Sequence, residues 1–314
     1  IPVTKAAGDF SALPGVELVE PVRNVYSTAH FDDPKLPQQW HYYNDGTGQG
    51  HKSGSDINVV PVWEAYTTGD RDVIVAIVDG GIDYNHEDLA ANYVGGYNFV
   101  RNTTKVTPHD HGTHVAGTVA AVNNNGKGVS GVAGGDAKNG VKGVGLLSCQ
   151  ITEHDPDDPS RDKWGDGAVA IKWAADNGAV ISQNSWGYVA DMNHDGTVTT
   201  DELNTFKSLK LPSSLKIALE YFIEFAGCDN DGNQLPDSPM KGGVVIFAAG
   251  NEAIDYDPIC STVDVIAVGA IDMDGSRASF SNYGDWVDLC APGVSILSTT
   301  PGSLYTRKQG TSMA

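Results

Sequence analysis

The sequence predicts an α/β fold with three layers: helices, a mostly parallel sheet, and helices again. Apolar runs rich in Val, Ile and Ala alternate with segments of helical periodicity along most of the chain. The runs are continuous rather than alternating in polarity, which is typical of parallel strands covered on both faces. The 37 glycines suit the many tight turns that such a fold needs.

The elements follow in order from these local patterns. A short helix is predicted at 57–66, ahead of the first strand. Apolar runs predict strands at 73–78, 141–151, 180–184, 244–249 and 265–270. Intervening segments predict helices at 111–122, 167–177 and 213–226. Open parallel sheets carry their sites at the carboxyl ends of strands, so Asp79 and Asn251, each just after a run, become candidate site residues.

Composition limits the location and partners of the protein. At 314 residues the chain can form one large α/β domain or two small ones. No apolar run reaches 18 residues, so no membrane span is predicted. The net charge of −20 argues against nucleic acid and anionic membranes, and it fits an extracellular protein that binds cations. We expect the protein to be a monomer. Simple solubility explains the charge equally well. The chain begins at Ile1 without a signal-peptide pattern, so we expect that such a segment was removed or omitted.

The four cysteines allow three pairings if all are bridged. Cys149 and Cys290 lie in apolar, strand-like runs and are expected to be buried thiols. Cys228 and Cys260 lie in loop-like segments on either side of the 244–251 run, so a disulfide between them is one alternative. The sequence contains no Cys-x-x-Cys pair that would indicate zinc.

Three segments place an Asp, a His and a Ser in that order along the chain. They are Ile-Val-Asp-Gly-Gly around Asp79, His-Gly-Thr-His from His111, and Gly-Thr-Ser-Met-Ala around Ser312. A serine hydroxyl is a weak nucleophile near neutral pH, so it needs a base that takes its proton and a carboxylate that orients the base. The pattern predicts these three catalytic roles. The alternative is a turn residue, a helix cap and a surface hydroxyl.

Together these segments resemble those of the subtilisin-like serine proteases, or subtilases, and the resemblance extends from about Phe31 to Ala314. Asp, His, Ser is the chain order of subtilisin. The resemblance implies a subtilisin-like fold and a secreted or cell-surface serine endopeptidase that hydrolyses peptide bonds through an acyl-enzyme at Ser312. It makes His111 the base, as the first histidine of its motif. His114 is expected to be a packed, hydrogen-bonded helix residue.

The resemblance also implies an oxyanion site and a substrate-binding strand. The Asn251 side-chain amide and the Ser312 backbone N–H would donate to the oxyanion. Protein or peptide substrates would pair with the backbone of a strand end. The implied substrate-binding residues are Ser185, Trp186, Gly187, Ala248, Ala249 and Gly250. Trp186 stands where smaller apolar residues are usual in the family, which predicts a bulkier pocket entrance. Trp164 is expected either in a more distant apolar subsite or in the core.

The resemblance divides the chain near residue 28. Residues 1–28 resemble the end of an inhibitory propeptide, which would make the protein's own propeptide a partner; an N-terminal arm is the alternative. Residues 29–314 are the predicted catalytic domain, with a calcium-loop insertion at about 188–240. Family members continue past the serine with a helix, so the chain as given is expected to be poorly active.

Two rival functions are an inactive, calcium-stabilised binding module and an esterase. The esterase would be expected to carry a Gly-x-Ser-x-Gly elbow.

Residues 191–202 match the pattern of a 12-residue calcium loop. Oxygen-bearing side chains stand at positions 1, 3, 5 and 12, with glycine at 6 and an apolar residue at 8. The pattern predicts calcium as a cofactor, bound by Asp191, Asn193, Asp195, the Thr197 carbonyl and Glu202. The preceding segment has the pattern of a strand, so the entering helix of an EF-hand is missing. An acidic surface loop without metal is the alternative.

Three weaker signals complete the sequence analysis. Asp88 and Asn124 resemble a second, stabilising calcium site of the family. The oxygen-rich loop 229–233 is a third candidate, although a solvated turn explains it better. The acidic run 153–158 would favour basic substrates, and a solvated loop is the stronger interpretation.

Overall fold

The computed structural model describes residues 31–158 and 161–314. The predicted segment 1–28, with its propeptide interpretation, lies outside the described residues. The helices of the described part are α1 (Val60–Ala65), α2 (Asp110–Ala120), α3 (Gly167–Asp176), α4 (Thr200–Lys207) and α5 (Ser213–Phe225). Its strands are β1 (Ile74–Gly80), β2 (Tyr93–Asn98), β3 (Gly135–Asp136), β4 (Val141–Lys142), β5 (Gly145–His154), β6 (Asp162–Trp164), β7 (Ile181–Asn184), β8 (Val244–Ala248), β9 (Ile266–Ile271), β10 (Leu289–Pro292), β11 (Ile296–Thr300) and β12 (Leu304–Lys308).

Parallel strands form the central sheet in the order β10-β9-β8-β7-β1-β5-β2. The short β6 pairs antiparallel with β5, and β11 and β12 form a separate hairpin. Each of the five predicted apolar runs overlaps a strand of the sheet, namely β1, β5, β7, β8 and β9. The apolar pattern does not predict β2, because its sequence Tyr-Val-Gly-Gly-Tyr-Asn contains two glycines, which weaken a strand's own preference. Pairing with β5 supplies the missing stabilisation.

The central sheet is buried on both faces. On β1, Val75 and Ile77 pack in one core with α2 and β11. Ala76 and Val78 pack in the opposite core, with α3 and α5. Successive side chains of a strand point to opposite faces, so a continuous apolar run is what a strand covered on both sides needs. The predicted three-layer α/β/α arrangement is confirmed.

The β11–β12 hairpin packs on α2 through buried polar contacts. The Thr299 hydroxyl donates a hydrogen bond to the Thr113 carbonyl at 2.7 Å. His114 Nε2 lies 3.0 Å from the Ile296 carbonyl and 3.2 Å from that of Thr306, so the ring donates to both strands of the hairpin. Burial lowers the pKa of His114 to about 4, which keeps the ring neutral. His114 is therefore packed and hydrogen-bonded, as its motif predicts.

All four cysteines are free thiols in the structure. The alternative of a disulfide between Cys228 and Cys260 is therefore wrong. Cys260 is buried, and its thiol and backbone N–H are hydrogen-bonded to Asp257. Cys149 is buried as predicted, but Cys290 is exposed. It lies on β10, an edge strand that pairs only with β9, so an apolar strand pattern does not guarantee burial there.

The contact between α2 and the hairpin depends on glycine at position 117. A Cβ there would overlap the hydroxyls of Thr299 and Ser298, which are fully buried. In an exposed helix Gly→Ala stabilises by about 1 kcal/mol. We expect Gly117→Ala instead to destabilise the protein by about 2 kcal/mol, because the packed hairpin cannot move aside. Urea unfolding measures the difference.

The control for this prediction is Ser214→Ala, at an exposed position of α5. It tests helix propensity without close packing, and we expect it to be neutral or slightly stabilising. A Gly117→Ala protein as stable as the parent would contradict the proposed role of position 117.

Candidate active site

Asp79 and His111 meet at the carboxyl end of β1. Asp79 is the next-to-last residue of β1 and is 3% exposed. Its carboxylate accepts hydrogen bonds from the Gly80 N–H at 2.6 Å and from His111 Nδ1, which lies 2.8 and 2.9 Å from the two oxygens. With Nδ1 donating to Asp79, the other ring nitrogen of His111 keeps a lone pair, as a general base requires.

Two glycines allow this contact. A Cβ on Gly112 would overlap the Gly80 carbonyl oxygen, so the first turn of α2 rests directly on the backbone of β1. A Cβ on Gly80 would overlap the ring of His109, the N-cap residue of α2. His109 Nδ1 accepts the His111 backbone N–H at 3.2 Å, which satisfies one of the free donors at the start of the helix.

Opposing effects set the proton affinity of His111. Burial favours the neutral ring, but the negative charge of Asp79 and its hydrogen bond to the ring outweigh burial, and the pKa of His111 is raised above its usual value. The positive charge of Lys308 acts in the opposite direction and lowers the pKa of His111. The Lys308 ammonium is itself paired with Asp110 at 2.6 Å. The ring therefore gains a proton more readily than a free histidine does.

Ser312 lies in a short 3₁₀ helix, Thr311–Met313, next to the end of β7. The Ser312 hydroxyl donates to the Ser185 carbonyl at 3.5 Å, and the Ser185 hydroxyl donates to the Ser312 carbonyl at 3.1 Å. Ser312 is thus tied to the predicted substrate strand. In the part of the chain that the structure describes, no hydrogen bond joins Ser312 to His111, so the structure brings together two of the three predicted catalytic residues by direct contact.

Asn251 is linked to the segment that carries Ser312. Its side-chain oxygen accepts the Thr311 N–H at 2.8 Å and the Thr311 hydroxyl at 3.0 Å. The same hydroxyl accepts the Gly250 N–H at 3.1 Å. Because the Asn251 oxygen is held in this way, the amide NH₂ is the end of the side chain that can donate to a ligand.

The other predicted substrate-binding residues flank this junction. Ala248 ends β8, and the next backbone N–H, that of Ala249, donates to Val268 at 2.9 Å. Gly250 has a φ of 99°, and a side chain there would overlap Asn282. Gly187 lies beyond β7, in the segment that leads to the acidic loop.

A cleft of about 400 Å³ opens beside His111. Trp186 lines it and packs edge-on against Phe247, with ring centroids 5.3 Å apart. An aromatic side chain therefore lines the cleft, and a bulkier entrance to a substrate pocket stays a prediction. Trp164 also lines the cleft and is 59% exposed, so the alternative that placed it in the core is wrong.

In the first half of the predicted calcium loop, two side chains accept hydrogen bonds from one backbone N–H. The Asp195 N–H donates to Asn193 at 2.9 Å and to Asp191 at 3.2 Å, and Asp191 also accepts the Gly196 N–H. The side-chain oxygens at positions 1 and 3 therefore lie close together. The Asp195 carboxylate accepts from Thr197, whose carbonyl is the predicted ligand.

Glu202, the last predicted calcium ligand, caps α4. Its carboxylate accepts the Thr199 N–H at 3.0 Å and hydroxyl at 2.7 Å, while Thr199 caps the Glu202 N–H in return. This contact lowers the pKa of Glu202, so the carboxylate is charged at neutral pH. The hard oxygen donors suit calcium, and α4 leaves the loop as an EF-hand exit helix would. In the described chain the element directly before the loop is the strand β7 and not an entering helix, as the sequence indicates.

The other predicted ion sites are weaker in the structure. The Asp88 oxygens accept from Asn125 and the Val129 N–H, whereas the Asn124 side chain contacts Asp32 and Asp136. Asp88 and Asn124 thus have separate partners rather than a shared site. The 229–233 loop is an exposed turn in which Asp229 accepts nearby N–H groups.

Glu252 anchors the acidic loop, although no sequence motif singles it out. Its carboxylate accepts the N–H groups of Ala190 at 2.8 and 3.0 Å and of Asp191 at 2.8 Å. Glu252 directly follows Asn251, so the start of the predicted calcium loop is bonded to the residue next to the predicted oxyanion donor. The carboxylate directly after the Gly-Asn pair is the sequence feature that could have indicated this contact.

Comparison with known proteins identifies the family. A model of the subtilase family matches residues 70–314. The chain belongs to the subtilase family. It is 35% identical over 279 residues to a thermophilic serine proteinase of Bacillus sp. (strain AK1), covering 86% of this chain and 56% of the relative. It is 31% identical over 347 residues to an extracellular basic protease of Dichelobacter nodosus, covering 96% and 49%.

Further subtilases extend these comparisons. Relatives from Trichormus variabilis (strain ATCC 29413 / PCC 7937) and Nostoc sp. (strain PCC 7120 / SAG 25.82 / UTEX 2576), each 32% identical, are named calcium-dependent proteases; the matches cover 82% and 81% of this chain and 35% and 34% of the relatives. A solved structure of a protease from Pseudoalteromonas arctica PAMC 21717 is similar, with a TM-score of 0.61 and 26% identity, covering 92% of this chain and 84% of that one. The chain spans about half the length of the first curated relatives it matches. The predicted family and fold, and serine endopeptidases as the enzyme class of the family, are confirmed.

The proton affinity of His111 can be tested directly. We expect the His111 pKa to lie above about 6.5, the ordinary value, and to fall in Asp79→Asn, which removes the charge. Because the folded pKa is the higher one, the Asp79 contact stabilises the fold below that ordinary value, and this stabilisation is lost as pH rises through the folded pKa. Histidine NMR titration in a Ser312→Ala background, which prevents self-cleavage, measures the shift. An unchanged pKa in Asp79→Asn would refute this electrostatic account.

Proposed function

We propose that this subtilase is a secreted or cell-surface serine endopeptidase that hydrolyses protein and peptide substrates through an acyl-enzyme at Ser312. The hydrogen-bonded pair of Asp79 and His111, at the end of a buried strand and beside an open cleft, carries the proposal. Relatives named serine proteinase and extracellular protease support the activity and the location. No helix in the described residues is long and apolar enough to cross a membrane.

In the proposed mechanism His111 accepts the Ser312 proton while the hydroxyl oxygen attacks the substrate carbonyl. Asp79 holds the ring so that Nδ1 keeps its proton, and its charge stabilises the imidazolium that forms. The same proton is then donated to the leaving amine. A water molecule activated by His111 hydrolyses the acyl-enzyme and restores Ser312.

The developing oxyanion would be bound by the Asn251 amide and the Ser312 backbone N–H. The hydrogen bonds from Thr311 to the Asn251 oxygen fix the side chain before substrate arrives, so little reorganisation is needed at the moment of reaction. Thr311 is adjacent to the nucleophile, so donor and nucleophile move together. This is the arrangement that electrostatic stabilisation requires.

An extended substrate would pair with the backbone of Ser185, Trp186 and Gly187 and with that of Ala248, Ala249 and Gly250. Backbone pairing selects no side chain, so selectivity would come from the cleft walls. Trp186 and Trp164 present aromatic surface there. We expect a preference for apolar or aromatic side chains at positions that contact these rings.

We further propose that calcium binds the 191–202 loop through Asp191, Asn193, Asp195, Thr197 and Glu202. The ion would neutralise the acidic cluster. It would act on the active site through Glu252, which joins the loop to Asn251. Relatives named calcium-dependent proteases support this part of the proposal. The remaining proposals, an inhibitory propeptide at 1–28 and a monomeric state, are tested by mass analysis and sedimentation of the secreted protein.

The proposed catalytic roles predict specific losses of peptidase activity. Ser312→Ala and His111→Ala should each abolish peptidase activity, because members of a triad act as a unit. Asn251→Ala should lower kcat about 100- to 1000-fold, which is the usual cost of one oxyanion donor. A fluorophosphonate probe should label Ser312 alone. Labelling that survives Ser312→Ala would refute the assignment, and unaltered kcat in Asn251→Ala would refute the oxyanion role.

Calcium removal gives a second test. Chelation should lower the melting temperature on the order of 5 °C, because the ion binds only the folded loop. Glu202→Gln should remove much of this sensitivity, and Asp229→Asn, in a similar exposed turn, should retain it. If Glu202→Gln is as sensitive to chelator as the parent, the loop is an acidic turn without a calcium role.

A further inference from the structure

A second group of ionisable side chains lies in the wall of the active-site cleft. His109, His154 and Asp162 each offer a ligand atom, and these atoms lie within 4.8 Å of one another. Among the described residues, 31–158 and 161–314, no other group of three or more His, Cys, Asp or Glu side chains converges in this way. The proposed peptidase mechanism uses none of the three.

The fold fixes the positions of these side chains. His154 ends β5 and is directly opposite Asp162 of β6, and His154 Nδ1 lies 2.9 Å from an Asp162 oxygen. His109 is the N-cap of α2, and its ring centroid is 4.3 Å from that of His154. Two paired strands and a helix start therefore present the three groups at one point. All three side chains line the cleft.

His109 carries an unsatisfied nitrogen. The residue is 7% exposed, and its Nε2 is buried without a hydrogen-bond partner. Its Nδ1 is already used by the His111 N–H. A buried polar atom without a partner is unfavourable, so a ligand at Nε2 would supply the partner that this atom lacks.

The donor types identify the class of ligand. Two imidazoles and one carboxylate suit zinc and its first-row neighbours, whereas calcium prefers oxygen alone. Three protein ligands leave one tetrahedral position for water. We propose that His109, His154 and Asp162 bind a divalent transition-metal ion of the zinc class.

The site is coupled to the catalytic base, and this step rests on the proposed peptidase function. A neutral imidazole has one nitrogen with a free lone pair. With the ion on Nε2, the proton lies on Nδ1, which can no longer accept the His111 N–H. The ion would therefore remove the cap from the helix that carries His111, and it would also stand in the cleft. Both effects make the metal an inhibitor of the peptidase. Coupling between the two sites is reciprocal.

Direct titration tests the metal site without reference to activity. The Ser312→Ala protein is held in excess calcium, which saturates oxygen-rich sites, and is titrated with Zn²⁺ by calorimetry and with Co²⁺ by visible absorption. We expect one Zn²⁺ per chain and a Co²⁺ spectrum of tetrahedral type. His154→Ala and Asp162→Asn should each weaken binding at least tenfold. Both positions are at the cleft surface, and circular dichroism confirms folding.

Matched controls are His51→Ala and Asp157→Asn, which alter a histidine and an aspartate outside the cluster. They should bind Zn²⁺ as the parent does. Absence of binding in the parent, or equal binding by all four variants, would overturn the metal site whether or not the protein is a peptidase.

The coupling has its own readout in the protein with Ser312 intact. Zn²⁺ should lower kcat at least tenfold in the parent, and a zinc-selective chelator should restore it. His154→Ala should resist zinc, while His51→Ala should not. If the parent and His154→Ala are inhibited alike, inhibition does not act through this site, even where the titration shows that the site binds zinc.

Discussion

The backbone contact between the start of α2 and the end of β1 is the constraint on which the candidate site depends. It requires the absence of a side chain at Gly112, where a Cβ would overlap the Gly80 carbonyl oxygen. It also requires Gly80, whose missing Cβ leaves room for the His109 ring. With both glycines present, Asp79 and His111 approach within hydrogen-bond distance. A helix set further from the strand by even one methyl group would lose that bond, because charge-assisted hydrogen bonds weaken steeply with distance.

The same helix is held from its other side, so His111 cannot shift independently of the segment that carries Ser312. His114 binds both strands of the β11–β12 hairpin, and Thr299 binds the backbone of α2. The hairpin leads directly into the 3₁₀ helix of Ser312, where Thr311 holds Asn251. The segments that carry His111, Ser312 and Asn251 thus belong to one bonded unit. Preorganisation of this kind needs many supporting contacts outside the reacting groups.

Local sequence predicts the elements whose signals are local. The apolar runs predict β1, β5, β7, β8 and β9, and the segments around Asp79 and His111 predict a pair that does meet. Features that depend on register are not predictable in this way. His154 and Asp162 meet only because β6 pairs with β5, and β6 is a short, exposed Asp-Lys-Trp segment with no apolar pattern. The prediction that Cys290 is buried is wrong for a related reason, since burial of a strand residue depends on whether a neighbouring strand covers it.

The two proposed metal sites have different ligand atoms, and each is bonded to a different part of the candidate active site. The 191–202 loop offers hard oxygens and reaches the oxyanion side through Glu252, whose carboxylate holds the N–H groups of Ala190 and Asp191. The His109 cluster offers imidazoles and reaches the base side through the cap of α2. The ligand types give the two sites different ion preferences, because calcium binds neutral nitrogen weakly and zinc favours imidazole. If both proposals hold, the two ions would have opposite effects on one site: calcium in the acidic loop would support Asn251, and a zinc-class ion on His109 would release the start of α2, which carries His111.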